Sequence, residues 1–236
     1  MSGAAPLRLF STLAIAGALR GSIARCEAAA EVALEAEFSP TVGLLARIRA
    51  GERADAAILT AEGVEELIAE DVLDAASRVD LVRSHIGFAV RAGEPYPDVG
   101  SVEALRKTLL SAPSIAYSRT GASGIAFAAL IEELGIAEAV NAKARIIPSG
   151  FTAALAASGE ATLAVQQVSE LLAVPGIEVI GRLPREVETV AVFTAAAFRD
   201  APQADAARRL IRFLASAEMA PVLEAAGLEP IGPAEG

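Results

Sequence analysis

The chain has 236 residues and a formal net charge of −10; 53% of it is apolar, 4% is aromatic, and it has no tryptophan. Its length gives one large domain or two small ones. The acidic balance argues against nucleic acid and anionic membrane surfaces as partners, and the scarcity of rings argues against a base- or sugar-stacking groove. A small anion would have to be held by local donors, against the field of the whole chain.

The single Cys26 leaves no internal disulfide, and its helical neighbours predict a buried thiol rather than a nucleophile. One histidine and one cysteine cannot make a His/Cys zinc site, so no metal is expected. No Gly-Lys-Ser/Thr loop occurs, and Gly121-Ala122-Ser123-Gly124 is one residue short of a nucleophile elbow; no cofactor is expected. No stretch reaches the roughly 20 apolar residues that cross a bilayer. Leu9 to Leu19 is mostly apolar, but Arg20 interrupts it and no clean cleavage site follows. The sequence as written therefore reads as cytoplasmic, and as periplasmic if an export signal was trimmed.

Strand-like and helix-like runs alternate. Leu7–Phe10 reads as a strand, Ala14–Ala29 as a helix, Glu31–Phe38 as a strand and Pro40–Ala50 as a helix. Asp55–Leu59 is a short buried strand before a helix over Ala61–Glu70. The alternation implies a parallel sheet with helices on its faces. Val79–Val82 and Ile86–Val90 are then extended, with Arg83-Ser84-His85 between them, and a turn-rich loop follows over Arg91–Pro97. Ser101 caps a helix running to Leu110. A second series follows: strands Ser114–Tyr117, Ala144–Ile147 and Ala161–Val165, with helices Gly124–Leu134, Phe151–Ala157 and Val168–Leu172. Ile177–Gly181 and Glu188–Thr194 are further strands, and Gln203–Ser216 and Met219–Ala226 are terminal helices.

One device recurs in this pattern. A short strand runs into a hydroxyl residue, and a helix begins there: Phe10 into Ser11-Thr12, Phe38 into Ser39-Pro40-Thr41, and Tyr117 into Ser118-Arg119-Thr120-Gly121-Ala122-Ser123-Gly124. Ser and Thr are strong N-caps, Pro40 fits the first helical position, and helix N-termini attract anions. Ligands of open parallel sheets bind beyond the carboxyl ends of the strands, where these turns lie. Two lobes facing one another would bring the turns together.

These residues carry a family likeness. Phe10-Ser11-Thr12-Leu13, Phe38-Ser39-Pro40-Thr41, Ala54-Asp55-Ala56-Ala57-Ile58-Leu59-Thr60, Ala116-Tyr117-Ser118-Arg119-Thr120-Gly121 and Leu163-Ala164-Val165-Gln166-Gln167 stand in an order that resembles the type II periplasmic binding proteins. The molybdate-binding branch, with its aconitate-isomerase-like relatives, is the most similar. The resemblance spans roughly residues 6 to 232 and implies an α/β fold of two lobes around a cleft, each a mainly parallel sheet flanked by helices. It implies crossovers near Leu81–Ile86 and Glu188–Val192. Residues 1–82 with 190–236 would form lobe I, and 83–189 lobe II. Binding positions carry over to Ser11, Thr12, Ser39 and Thr41, and on the other lobe to Ser118, Arg119, Thr120, Ser123, Gly150, Phe151 and Gln167.

Two departures from the molybdate pattern shift the expected ligand. Gln166-Gln167 stands where a tyrosine is common, and Arg119 brings a full charge to the loop. A guanidinium holds a carboxylate with two parallel bonds, so a small organic acid is expected in the cleft. The alternatives are a cytoplasmic isomerase that shifts a proton on an unsaturated carboxylic acid, and oxyanion binding for an ABC permease after export. His85, the only histidine, and Tyr117 are the acid/base candidates for the isomerase. For His85 a structural role, and for Tyr117 a core ring with a wet hydroxyl, are the competing explanations.

Overall fold

The computed structural model describes residues 5–232. Residues 1–4 and 233–236, at the outer ends of the expected lobe I, lie outside the described residues. In chain order the elements begin with β1 (Leu7–Ser11), α1 (Ala16–Arg20), α2 (Ile23–Ala30), β2 (Leu34–Phe38), α3 (Thr41–Arg49), β3 (Ala56–Thr60), α4 (Ala61–Ala69) and β4 (Val79–Arg91). There follow α5 (Val102–Ser111), β5 (Ile115–Ser118), α6 (Ala122–Glu133), α7 (Ala137–Asn141), β6 (Ala144–Ile147), α8 (Ala153–Ser158), β7 (Leu163–Gln167) and α9 (Val168–Leu172). The last elements are β8 (Ile177–Arg182), β9 (Val190–Ala197), α10 (Ala204–Leu214), α11 (Ala220–Ala225) and the short β10 (Glu229–Pro230).

Two expectations are corrected here. The helix expected over Ala14–Ala29 is broken into a 3₁₀ turn, α1 and α2, because Gly21 and Ser22 are poor helix formers and interrupt it. The extended pieces around Arg83-Ser84-His85 are one 13-residue strand, β4. Its ladder partners change along its length: β10 pairs at Val82 and Arg83, and β7 from Ile86 onward.

The chain divides into two compact units. Unit one runs to Arg83 and resumes at Val192; unit two is Ser84–Ala191. The boundaries fall inside β4 and β9.

In unit one the strand order is β2-β1-β3-β9. The first three are parallel, and β9 runs antiparallel to β3. Phe10, Leu59 and Phe198 pack with Leu44 and Ile48 of α3 and Val64 and Leu67 of α4. Asp55 ties the far end of the sheet: its carboxylate accepts the Arg8 N–H at 2.8 Å and the Gln203 N–H at 2.9 Å. In α10, Ala206, Ala207, Leu210, Ile211 and Leu214 recur at helical spacing as a buried stripe, and the helix packs on α2. Cys26 of α2 is buried, and burial pushes its thiol up to about 11, so it stays protonated.

In unit two β5 is parallel to β6 and β7, and β4 runs antiparallel to both β7 and β8. The period-two alternation of β4 decides what each face packs against. Ile86, Phe88 and Val90 join Leu105 and Leu109 of α5 and Phe127 and Ile131 of α6. Ala89, on the opposite face, joins Ala153, Ala156 and Ala164 with Leu171. Among the described residues no helix is long and apolar enough to cross a membrane.

Candidate functional site

Each unit brings its strand-end turns together at one end of its own sheet. In unit one the register sets Ser11 beside Phe38 and beside Ile58, so the turns after β1, β2 and β3 adjoin. The Ser39 N–H donates to the Ser11 carbonyl at 3.1 Å, and the Thr12 N–H to the Ile58 carbonyl at 3.0 Å. In unit two, β5, β6 and β7 end together, and the antiparallel β4 brings Ile86 opposite Gln167.

The expected capping is corrected at all three hydroxyl turns. Thr12 at the first, Pro40 at the second and Gly121 at the third occupy the cap positions, and none makes a side-chain cap hydrogen bond. Helix α3 starts at Thr41, one residue after Pro40 rather than with it. The strand-end serines precede these cap positions, by one residue at the first two turns and by three at the third. Ser11 Oγ instead donates to the Thr12 carbonyl at 3.1 Å. Thr12 Oγ1 is buried and has no hydrogen-bond partner among the described residues. Ser39 is half-buried, and its Oγ sits where a side chain on Gly43 would approach it to 3.1 Å. Thr41 is buried at the first position of α3.

The unit-two turn is built differently. Thr120 Oγ1 donates to the Pro148 carbonyl at 2.7 Å, so the 3.0 Å contact between the two hydroxyls is donated by Ser118 Oγ. Ser118 Oγ also accepts the Thr120 N–H at 3.2 Å. These bonds close the turn on itself and tie it to the segment after β6. Gly124 lets α6 lie against β5: a Cβ there would stand 1.5 Å from the Ser118 carbonyl oxygen. Gly121 has no side chain to cap with, so the first N–H groups of the 12-residue α6 are not consumed by a cap. Ser123, in that first turn, is buried.

Arg119 stands beside this helix start and is fixed in place. Its Nε and Nη2 each donate to the Tyr117 hydroxyl at 3.2 Å, and Nη2 also donates to Asn141 Oδ1 at 3.1 Å. The Tyr117 hydroxyl itself donates to Asn141 Oδ1. The Tyr117 ring is fully buried against Phe127, so only its hydroxyl takes part. No carboxylate balances Arg119 among the described residues. The arrangement is a cation held by neutral groups, three residues ahead of an uncapped helix start.

Two glutamines complete this end of unit two. Gln166 Oε1 accepts the Thr152 N–H at 2.8 Å and the Thr152 hydroxyl at 3.0 Å, while Nε2 donates to the Gly150 carbonyl at 3.0 Å. Gln166 thus pins the 150–152 turn, where Gly150 has φ +94° and Phe151 is half-buried. Gln167 is the N-cap of α9 in a capping box with Glu170, and its Oε1 accepts from Ser84 Oγ at 2.9 Å. Glu170 is buried, and loss of solvent raises its carboxyl to about 8; the Gln167 N–H and the Gln166 side chain pull the other way. His85 Nδ1 lies 2.7 Å from Glu188 Oε1.

Sequence reasoning missed Asn141, Thr152, Glu170 and Glu188. Glu170 had a local signal, the Gln-x-x-Glu spacing of a capping box from Gln167. Glu188 had none, since it lies 103 residues from His85. Among the described residues no group of three or more His, Cys, Asp and Glu could hold a metal ion.

The model of the bacterial extracellular solute-binding protein family matches residues 7–229. The chain belongs to that family. This solute-binding family member is 34% identical to aconitate isomerase from Pseudomonas sp over 230 residues, which cover 95% of the chain and 88% of that enzyme. The periplasmic molybdate-binding protein of Azotobacter vinelandii superposes with a TM-score of 0.79 at 17% identity, covering 96% of this chain and 99% of that one. The sulfate-binding protein of Mycobacterium tuberculosis H37Rv superposes with a TM-score of 0.76 at 15% identity, covering 98% and 88%. These two likenesses establish the fold, that of the type II periplasmic binding proteins.

Proposed function

We propose that this chain binds a small carboxylate-bearing anion, held chiefly at the carboxyl end of the unit-two sheet. The observation that carries the reading is Arg119: a guanidinium fixed by Tyr117 and Asn141, with no carboxylate to balance it. It lies three residues before the start of α6, whose first N–H groups no side chain caps. A neutral cage of N–H and O–H groups suffices for an inorganic oxyanion, whereas a planar cation adds most for a carboxylate. The similarity to an aconitate isomerase supports an organic acid as the ligand class. The hydroxyls of Ser11, Thr12, Ser39 and Thr41 are the donors that the family resemblance points to within unit one.

A thermal-shift panel of di- and tricarboxylates, molybdate and sulfate tests the reading. A true ligand at about 100 times its dissociation constant stabilises by roughly 2.7 kcal/mol. The expected result is a raised melting temperature with tricarboxylates. A rise with molybdate alone overturns the reading.

A second reading, isomerisation of an unsaturated carboxylic acid, is favoured by the His85–Glu188 pair at the same end of unit two. A histidine oriented by a carboxylate suits proton abstraction beside a carbonyl group. The chemistry moves one proton: a base takes it from the carbon next to a carboxylate, the double bond shifts, and a proton returns to the far carbon. In heavy water the bound acid would exchange that C–H for deuterium, and His85→Ala would abolish the exchange. Tight binding without exchange leaves the chain a binding protein, for which an ABC permease is the partner we propose.

A further inference from the structure

The opposite end of unit two carries a feature that the anion reading does not use. A cavity of about 520 Å³ opens where β5 and β7 begin and β4 ends. Val90, Ala112, Ala156, Ala161 and Leu163 give it an apolar lining, to which Pro95, Pro97 and Pro113 add saturated rings and Tyr96 an aromatic one. Tyr96 is 62% exposed, yet its hydroxyl is anchored to Glu178 Oε2 at 2.6 Å. The wall hydroxyls serve the protein itself. Thr108 Oγ1 donates to the Asp98 carbonyl at 2.7 Å, Ser111 Oγ to the Thr108 carbonyl at 3.2 Å, and Thr162 Oγ1 to the Ser114 carbonyl at 2.6 Å.

Arg91 differs from these groups. It is the last residue of β4 and lines the cavity, with Nη1 3.7 Å from where a side chain on Gly159 would begin. Its guanidinium makes no ion pair or hydrogen bond among the described residues. Gly159, at φ +81°, leaves the approach to Arg91 clear of a side chain. The cavity therefore offers an apolar-lined pocket of small-molecule size with the Arg91 guanidinium, exposed and without an ion pair or hydrogen bond among the described residues, in its wall. Glu94 also lines it, and this second charge disfavours a polyanion.

We propose that this cavity is a second small-molecule site, which takes a cyclic or aromatic monocarboxylate with its ring against Tyr96, Pro113 and Leu163 and its carboxylate on Arg91. A ring of benzoate size fits the volume, and an arginine fork matches a single carboxylate. The site is independent of the anion site at the other end of the strands.

Amide chemical shifts of the full chain, followed while benzoate is titrated in, test the proposal. Saturable shifts are expected at Arg91, Gly159, Ala161 and Thr162, and Arg91→Gln should raise the benzoate dissociation constant at least fivefold. Arg119→Ala should leave these shifts unchanged, which separates this site from the proposed anion site. The absence of saturable shifts at these residues overturns the proposal. So does an Arg91→Gln dissociation constant equal to that of the wild type. Benzylamine binding in place of benzoate, lost in Glu94→Gln, would also contradict it, since the acid and not the arginine would then set the ligand.

Discussion

The two units solve the same local problem in opposite ways. In each, hydroxyl residues follow parallel strands without capping the next helix, after β1 and β2 in unit one and after β5 in unit two, whereas Thr60 at the end of β3 does cap α4. Unit one leaves its groups neutral and loosely committed: Thr12 Oγ1 is buried without a partner among the described residues, and Ser39 is half-buried. Unit two commits its groups to one another. Ser118 and Thr120 close their turn, Gln166 pins the next turn, and Tyr117 and Asn141 hold Arg119. A buried hydroxyl without a partner costs about 1–3 kcal/mol, so unit one carries donors that a ligand would satisfy. Unit two instead carries a charge already oriented, which lowers the ordering cost of binding. On the reading proposed above, Arg119 of unit two sets the ligand class, and the contrast with unit one is what the following experiments test.

The largest expected effect contrasts two glycines at equivalent places. Gly124→Ala drives a methyl into the Ser118 carbonyl, so α6 must move; about 3 kcal/mol of stability should be lost. Gly43→Ala in unit one meets only the Ser39 hydroxyl at 3.1 Å and gains helix propensity; it should change stability by less than about 1 kcal/mol. Urea denaturation of both variants checks the pair. Equal losses would show that the unit-two turn is no tighter than that of unit one.

The next effect is a dependence on pH. Burial raises Glu170 to about 8 from an ordinary value of 4.5. Between those values the native chain holds a proton that the unfolded chain has released, so stability falls as pH rises from about 4.5 to 8. Glu170→Gln cannot titrate, and its stability should fall less over that interval, by on the order of 3 kcal/mol. Denaturation midpoints at pH 5, 6.5 and 8 measure the slope, and parallel curves for both proteins would remove Glu170 as its cause.

Two binding effects follow. Arg119→Lys keeps the charge but loses the planar fork and its bonds to Tyr117 and Asn141; tricarboxylate affinity should fall by about 1.5–3 kcal/mol, roughly tenfold or more. Ser39→Ala removes one neutral donor and no cap, and should cost about 1 kcal/mol of affinity with little change in melting temperature. A larger loss in Ser39→Ala than in Arg119→Lys would reverse the ranking of the two units.

Much of the fold was legible because strand and helix periods differ and each core face repeats them. Ile86, Phe88 and Val90 announce β4, and the Leu210, Ile211 and Leu214 stripe announces α10. What was not legible depended on partners distant in sequence. Nothing near Arg83-Ser84-His85 shows that β4 continues, because its ladder partners are β10 and β7. Within the candidate site, Arg119 was visible as a charge in a turn, but its fixation rests on Asn141, 22 residues away. Gln167 read as a ligand group, and its side-chain oxygen also accepts from α9 and from Ser84, 83 residues away.

The most direct measurement of the central claim is calorimetric titration of the wild-type chain and Arg119→Lys with trans-aconitate and, separately, with molybdate. The account predicts that the wild type binds trans-aconitate more tightly than molybdate, and that Arg119→Lys loses at least tenfold for trans-aconitate while molybdate changes little. Tighter wild-type binding of molybdate, or trans-aconitate affinity unchanged in Arg119→Lys, would contradict it.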